Sequence, residues 1–147
     1  MDIVKYIEQE TETLGWFFSY GNVANQNLLE SEKDIDKIYF LLDPVITDEP
    51  NVSELGGDGD ITHTLRFLLL VQSDLDNVYF TQKNEESTEG KYEKNILPLK
   101  TQLKLFKDVI DCSIYERTGW RIVEGINMLS TNFDGLIVTT TLKENAN

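Results

Sequence analysis

One cysteine, one histidine and three prolines among 147 residues leave little room for metal or thiol chemistry. Cys112 has no second thiol with which to close an internal disulfide. Zinc sites draw on several Cys and His residues, so no zinc is expected. Nucleophilic catalysis needs a base beside a Ser or Cys. His63 falls between Thr62 and Thr64 in an expected strand, where a strand-face or hydrogen-bonded histidine is the simplest reading. Long apolar runs are missing too: Ile38–Leu42 and Phe67–Val71 are far too short to span a bilayer. The N-terminal residues Met1-Asp-Ile-Val-Lys5 lead into a charged amphipathic stretch rather than an apolar signal segment, which points to an intracellular origin. In that setting Asn51-Val-Ser53 is a chance match to a glycosylation sequon.

Basic charge is scarce as well. Thirteen Lys and Arg face 26 Asp and Glu, a net charge of −13. Such a chain repels nucleic acid and anionic membranes. The basic residues are also unevenly spread. Lys91, Lys94, Lys100, Lys104 and Lys107 share one stretch that holds a single acid, Glu93. This reads either as a solvated helix face or as a basic patch that meets an acidic surface of another copy.

Sites that need particular spacings fail on inspection. Read as a calcium loop from Asp58, the position that requires glycine is His63 and the position that requires a bidentate acid is Leu69. Asp58-Gly-Asp60 is then a turn-forming pair. Gly56-Gly-Asp-Gly59 lacks the lysine and Ser/Thr of a phosphate loop. Paired carboxylates carry no signal in a chain this acidic. No catalytic residue, cofactor or metal is assigned.

What is present is a domain's worth of apolar patterning. At 40% apolar with 7 Phe, 2 Trp and 6 Tyr, the chain can build a core without staples. Met1–Leu14 reads as a helix with Ile3, Ile7 and Leu14 on one face and Val4 at its edge, ended by Gly15. Trp16–Tyr20 reads as core-lining or extended; base stacking is disfavoured because no Lys or Arg lies between Lys5 and Lys33. Asn22–Asp34 is a connector. Ile38–Leu42 is a doubly covered strand stopped by Pro44. The acidic, glycine-rich Ile46–Asp60 is an exposed loop or the end of a long hairpin. Ile61–Gln72 is the partner strand, with Leu65, Phe67, Leu69 and Val71 on one face and Thr62, Thr64 and Arg66 on the other, which Leu68 and Leu70 join. After the polar break Lys83–Gly90, a helix is expected over Asn95–Asp111, with Asn95 as N-cap and Pro98 in the first turn. Its stripe is Ile96, Leu99, Leu103, Phe106 and Ile110. Two closing strands follow, Trp120–Leu129 and Leu136–Leu142. In them Trp120, Ile122, Ile126 and Met128 alternate, as do Leu136, Val138, Thr140 and Leu142.

The expectation is one α+β domain over residues 1–147. It has a mostly antiparallel sheet of about four strands with a long hairpin, packed by two helices in the order α-β-β-α-β-β.

Three segments carry a resemblance: Ile38-Tyr-Phe-Leu-Leu-Asp-Pro44, His63–Asp76 (HTLRFLLLVQSDLD) and Phe133-Asp-Gly-Leu-Ile-Val-Thr-Thr-Thr-Leu142. Together with the order of elements they resemble the tail-terminator and neck-ring proteins of tailed bacteriophages. The last segment is similar to the closing strand of such proteins in phages of gut Bacteroidales, the crAss-like phages included. The resemblance implies a virion protein without enzymatic residues, assembled in the bacterial host cytoplasm into a ring at the head–tail junction. Its partners would be copies of itself and other neck, portal or tail proteins, with DNA passing nearby but not specifically bound, and no membrane. Ring contacts are expected between Lys100, Lys104 and Lys107 of one copy and acids such as Glu54, Asp58 and Asp60 of the next. The alternative class is a small acidic binding protein, such as an immunity protein that inhibits a basic toxin, using the same charge for steering.

Overall fold

Asp2 starts the first helix. Its carboxylate accepts the backbone N–H groups of Val4 and Lys5 at 2.9 and 3.2 Å, which satisfies two otherwise unpaired first-turn donors. The computed structural model describes residues 2–21, 37–44, 46–52, 58–73, 77–81, 89–128 and 133–144. Helix α1 runs Ile3–Thr13 and buries Ile3, Tyr6, Ile7 and Thr11. Gly15 takes φ +82°, a conformation that stops the helix and that glycine adopts without a Cβ penalty.

The strands are β1 (Phe17–Tyr20), β2 (Tyr39–Leu42), β3 (Thr47–Val52), β4 (Asp58–Gln72), β5 (Tyr115–Met128) and β6 (Phe133–Glu144). They form one six-stranded sheet in the order β1-β2-β4-β6-β5, with β3 also paired to β4. Among the described residues only β1–β2 is parallel. The fold is therefore α+β and mostly antiparallel, with six strands rather than about four. The two additional strands are short. Trp16–Tyr20, expected as core-lining or extended, is both: Trp16 is buried and β1 pairs along β2. Of the segment 46–60, the described residues 46–52 and 58–60 belong to the end of a long hairpin, because β3 continues along β4 where β2 leaves off: Leu42 pairs with Phe67 and Thr47 with Thr64. Four residues separate Leu42 from Thr47, whereas two separate Thr64 from Phe67. The surplus around Pro44, which has no N–H for a ladder, breaks what would otherwise be one strand.

Helix α2 (Leu97–Asp111) buries Leu99, Leu103, Phe106 and Ile110. It is preceded by a π-helical turn, Tyr92–Ile96, in which the Leu97 N–H donates to the carbonyl of Tyr92. The helical path thus begins about one turn before Asn95, which corrects the expected N-cap. Asn95 instead donates its side-chain amide to Asp134 at 2.7 Å. Pro98 sits in the first turn of α2.

Both helices pack on one face of the sheet. Ile7, Trp16, Phe40, Phe67, Leu103, Phe106 and Val138 belong to a single apolar cluster there. Aromatic rings knit it together: Phe40 stacks on Phe67 at 4.5 Å, and Phe106 meets Phe67 edge-on at 5.6 Å. The opposite face carries a smaller cluster, Tyr39, Leu41, Leu68, Leu70 and Phe133.

Strand β5 is irregular at both ends. One extra residue lies between Arg117 and Gly119, and another between Gly125 and Met128. The second bulge contains Asn127 at φ +55°. The extra residue turns Met128 to the face opposite Ile126, so Met128 joins the smaller cluster. That corrects the expected alternation, in which both residues shared a face.

Candidate functional site

Of the expected contact residues, Lys100, Lys104 and Lys107 lie on α2. Lys104 is exposed and Lys107 half-buried, and among the described residues neither enters an ion pair. Lys100 is different. Its ammonium pairs with the Glu124 carboxylate on β5, donates to the Tyr92 hydroxyl at 3.3 Å and lies 5.4 Å from the centre of that ring. The Glu124 hydrogen bond holds the Lys100 ammonium above the usual lysine range, against a small opposing effect of burial and with Tyr92 adding to it. Lys100 thus fastens α2 to β5 within the chain. Glu54 lies outside the described residues. Asp58 and Asp60 occupy the first residues of β4, so their backbone belongs to the hairpin with β3 rather than to a loop.

Lys91 departs from the expected solvated face. It is 1% exposed. Its ammonium donates to the Asn127 side-chain oxygen at 2.8 Å and lies 5.3 Å from the centre of the Tyr79 ring. The same Asn127 oxygen accepts from Ser73 at 2.8 Å, and the Asn127 backbone N–H donates to the buried Asp134 at 2.9 Å. Asn127 therefore links a buried cation to a buried anion, and its left-handed backbone is held by bonds at both ends. A lysine run gives no sign that one member faces inward. The sequence signal for this site is instead the chain of short polar residues in the closing hairpin.

A second polar cluster lies where β3, β4 and β6 meet. His63 is buried, with Nδ1 2.5 Å from Asp48 and Nε2 3.8 Å from Glu144. It is a hydrogen-bonded strand histidine, as its sequence context suggests. Tyr115 stands edge-on to it at 6.1 Å. Burial pushes the Tyr115 phenol up to about 12, with the Glu144 carboxylate, the Tyr6 phenol and Asp2 adding to the shift. Its hydroxyl has no hydrogen-bond partner among the described residues.

The chemistry open to these groups is limited. Cys112 is exposed at the end of α2, whereas His63 is buried and engaged with carboxylates. Among the described residues no three His, Cys, Asp or Glu side chains are grouped to hold a metal ion, and no helix is long and apolar enough to cross a membrane.

Accessible apolar side chains lie next to each other along β5. Between its two bulges the strand is regular from Gly119 to Gly125. Within it Ile122 is 41% and Val123 44% exposed, and these neighbours point to opposite faces of the sheet. Arg121 and Glu124 flank them, also exposed. Among the described residues no strand pairs with the outer side of β5. No family model, curated protein or solved structure matches this chain.

Proposed function

We propose that this chain is a structural virion protein, one subunit of a ring at the head–tail junction of a tailed bacteriophage, as a neck or tail-terminator component around the DNA channel. The observation that carries the reading is the charge asymmetry. Lys104 and Lys107 place cations that have no ion-pair partner among the described residues on a helix of a chain whose net charge is −13. Ring closure joins two different patches of the same subunit, and a basic patch on an acidic body supplies such a pair. The surplus of negative charge suits a channel through which DNA slides without being held. The partners are further copies of the chain and the portal, neck or tail proteins above and below the ring.

The test uses Lys104→Glu together with Lys107→Glu. Lys100 is left alone because a glutamate there would face Glu124 and perturb the fold. Light scattering at low ionic strength should show assemblies of the wild-type chain that shrink toward the monomer in the double variant and in raised salt. Unchanged assemblies would remove the lysine face from the interface. A wild-type monomer that instead forms a one-to-one complex with a basic nuclease would replace the ring reading with that of an inhibitor.

A further inference from the structure

Building on the ring reading, we infer that neighbouring copies join through the sheet itself, the outer edge of β5 pairing antiparallel with β1 of the next copy. These two strands end the sheet order, and among the described residues neither has a partner on its outer side. Open strand edges offer a row of unpaired N–H and C=O groups to another chain. On β5 the regular stretch Gly119–Gly125 adds apolar side chains on both faces, Ile122 and Val123. At the other end of the sheet, Tyr20 of β1 is 48% exposed.

Among the described residues β3 leaves a third edge open, and that edge is protected. It carries exposed Asp48 and Glu49, a proline at position 50 and a register shift between Pro50 and Val52. Charge, proline and bulges are the usual devices that keep an edge from pairing. Edge β1 carries none of the three, and β5 carries exposed Arg121 and Glu124 but has no proline and keeps its bulges outside the stretch Gly119–Gly125.

Strand direction and charge choose between pairing modes. From the pairings, β1 and β2 run one way, β4 the opposite way, β6 as β2, and β5 as β4. A copy placed beside β5 in the same orientation therefore presents β1 antiparallel to it, the geometry with the straighter hydrogen bonds. The β5 side, with α2 above it, carries Lys100, Lys104, Lys107, Arg117 and Arg121 against four acids. Elements α1, β1, β2 and β3 carry five acids, Glu8, Glu10, Glu12, Asp48 and Glu49, against Lys5 alone. Lys37 lies over Phe17 at 4.5 Å and adds a cation at this edge. A β5–β1 joint brings the less acidic side of one copy to the more acidic side of the next, whereas a β5–β5 joint would oppose like sides. Repetition of this head-to-tail contact gives a ring or an open filament, not a closed dimer.

The experiment blocks each edge separately. One variant carries Ile122→Lys and Val123→Lys; the other carries Ser19→Lys and Tyr20→Lys, or Tyr20→Lys alone if the pair lowers the urea midpoint. Circular dichroism checks that each is folded. Wild-type chain at high concentration should assemble, and each variant alone should stay monomeric. Mixed in equal amounts, the two variants should form a one-to-one dimer and go no further, since one keeps an open β1 and the other an open β5. A β1-blocked variant that still dimerises or assembles overturns this joint and leaves the ring reading intact. A wild-type chain that stays monomeric at every concentration overturns both.

Discussion

The two faces of the sheet solve the same problem with different resources. On one, α1 and α2 cover a continuous apolar surface that runs from β2 across β4 to β6 and part of β5. On the other, the described apolar residues gather around Tyr39, Leu41, Leu68, Leu70 and Phe133, and the surface turns polar at Arg66, Thr64 and Thr139. Strand β4 contributes to both, and alternate residues divide between them. A single strand can therefore anchor a deep core and a shallow one, with the helices deciding which is which.

Adjacent residues of β4 give the sharpest way to break that comparison. Phe67 is fully buried among Phe40, Phe106 and Trp120, whereas Leu68 lies on the other face in the smaller cluster. Phe67→Ala should cost about 3–5 kcal/mol, and Leu68→Ala about 2 kcal/mol, near the bottom of the range for buried leucines. Urea denaturation of both variants would measure the difference. Equal losses would mean that the two faces are equally well packed.

A middle-sized effect is expected where the polar network anchors the closing hairpin. Asp134→Ala removes the acceptor of both the Asn95 amide and the Asn127 N–H and leaves Lys91 without the carboxylate that Asn127 links to it. Stranding buried donors costs about 1–3 kcal/mol. Asn95→Ala removes one partner only and should cost less. If the two variants have the same urea midpoint, the network does not act through Asp134.

The smallest effect concerns pH. The Tyr115 phenol is raised in the folded chain from its ordinary value of 10.0 to about 12. The folded state then keeps a proton that the unfolded chain releases first. Stability from this group is complete below about pH 10 and declines as pH climbs toward 12. Tyr115→Phe should flatten that decline. An unchanged slope between pH 10 and 12 would assign it to other groups.

Much of this architecture is legible in the residues themselves. The stripe Ile96, Leu99, Leu103, Phe106, Ile110 is buried throughout, because its three-and-four spacing leaves no other face for the core. The two faces of β4 divide between the two clusters according to the alternation of Leu65 to Leu70. Strand β3 is illegible for a clear reason. Thr47-Asp-Glu-Pro-Asn-Val52 has poor strand propensity and pairs because β4 runs alongside it. The bulge at Asn127 depends on a bond to Asp134 that no periodicity reveals. Lys91 reads as solvent-facing because lysine normally is, and tertiary partners override that preference. Lys100, Lys104 and Lys107 are legible as a row, but the pairing of Lys100 with Glu124 depends on how α2 lies across β5.

The length of β4 has a mechanical consequence. At 15 residues it extends roughly 50 Å, and it pairs with β6 only from Thr62 onward. Among the described residues Asp58 to Ile61 have β3 as their only ladder partner, so the strand begins as a two-stranded arm and then passes between β2 and β6 over Phe67 to Leu70. A two-stranded ribbon is marginal by itself. One continuous strand thus carries a gradient of local unfolding free energy, shallow at the arm and approaching the global value near Phe67 to Leu70. Amide protons along it should exchange in that order, and the arm should adapt to a neighbouring surface without loosening the core to which the same strand belongs.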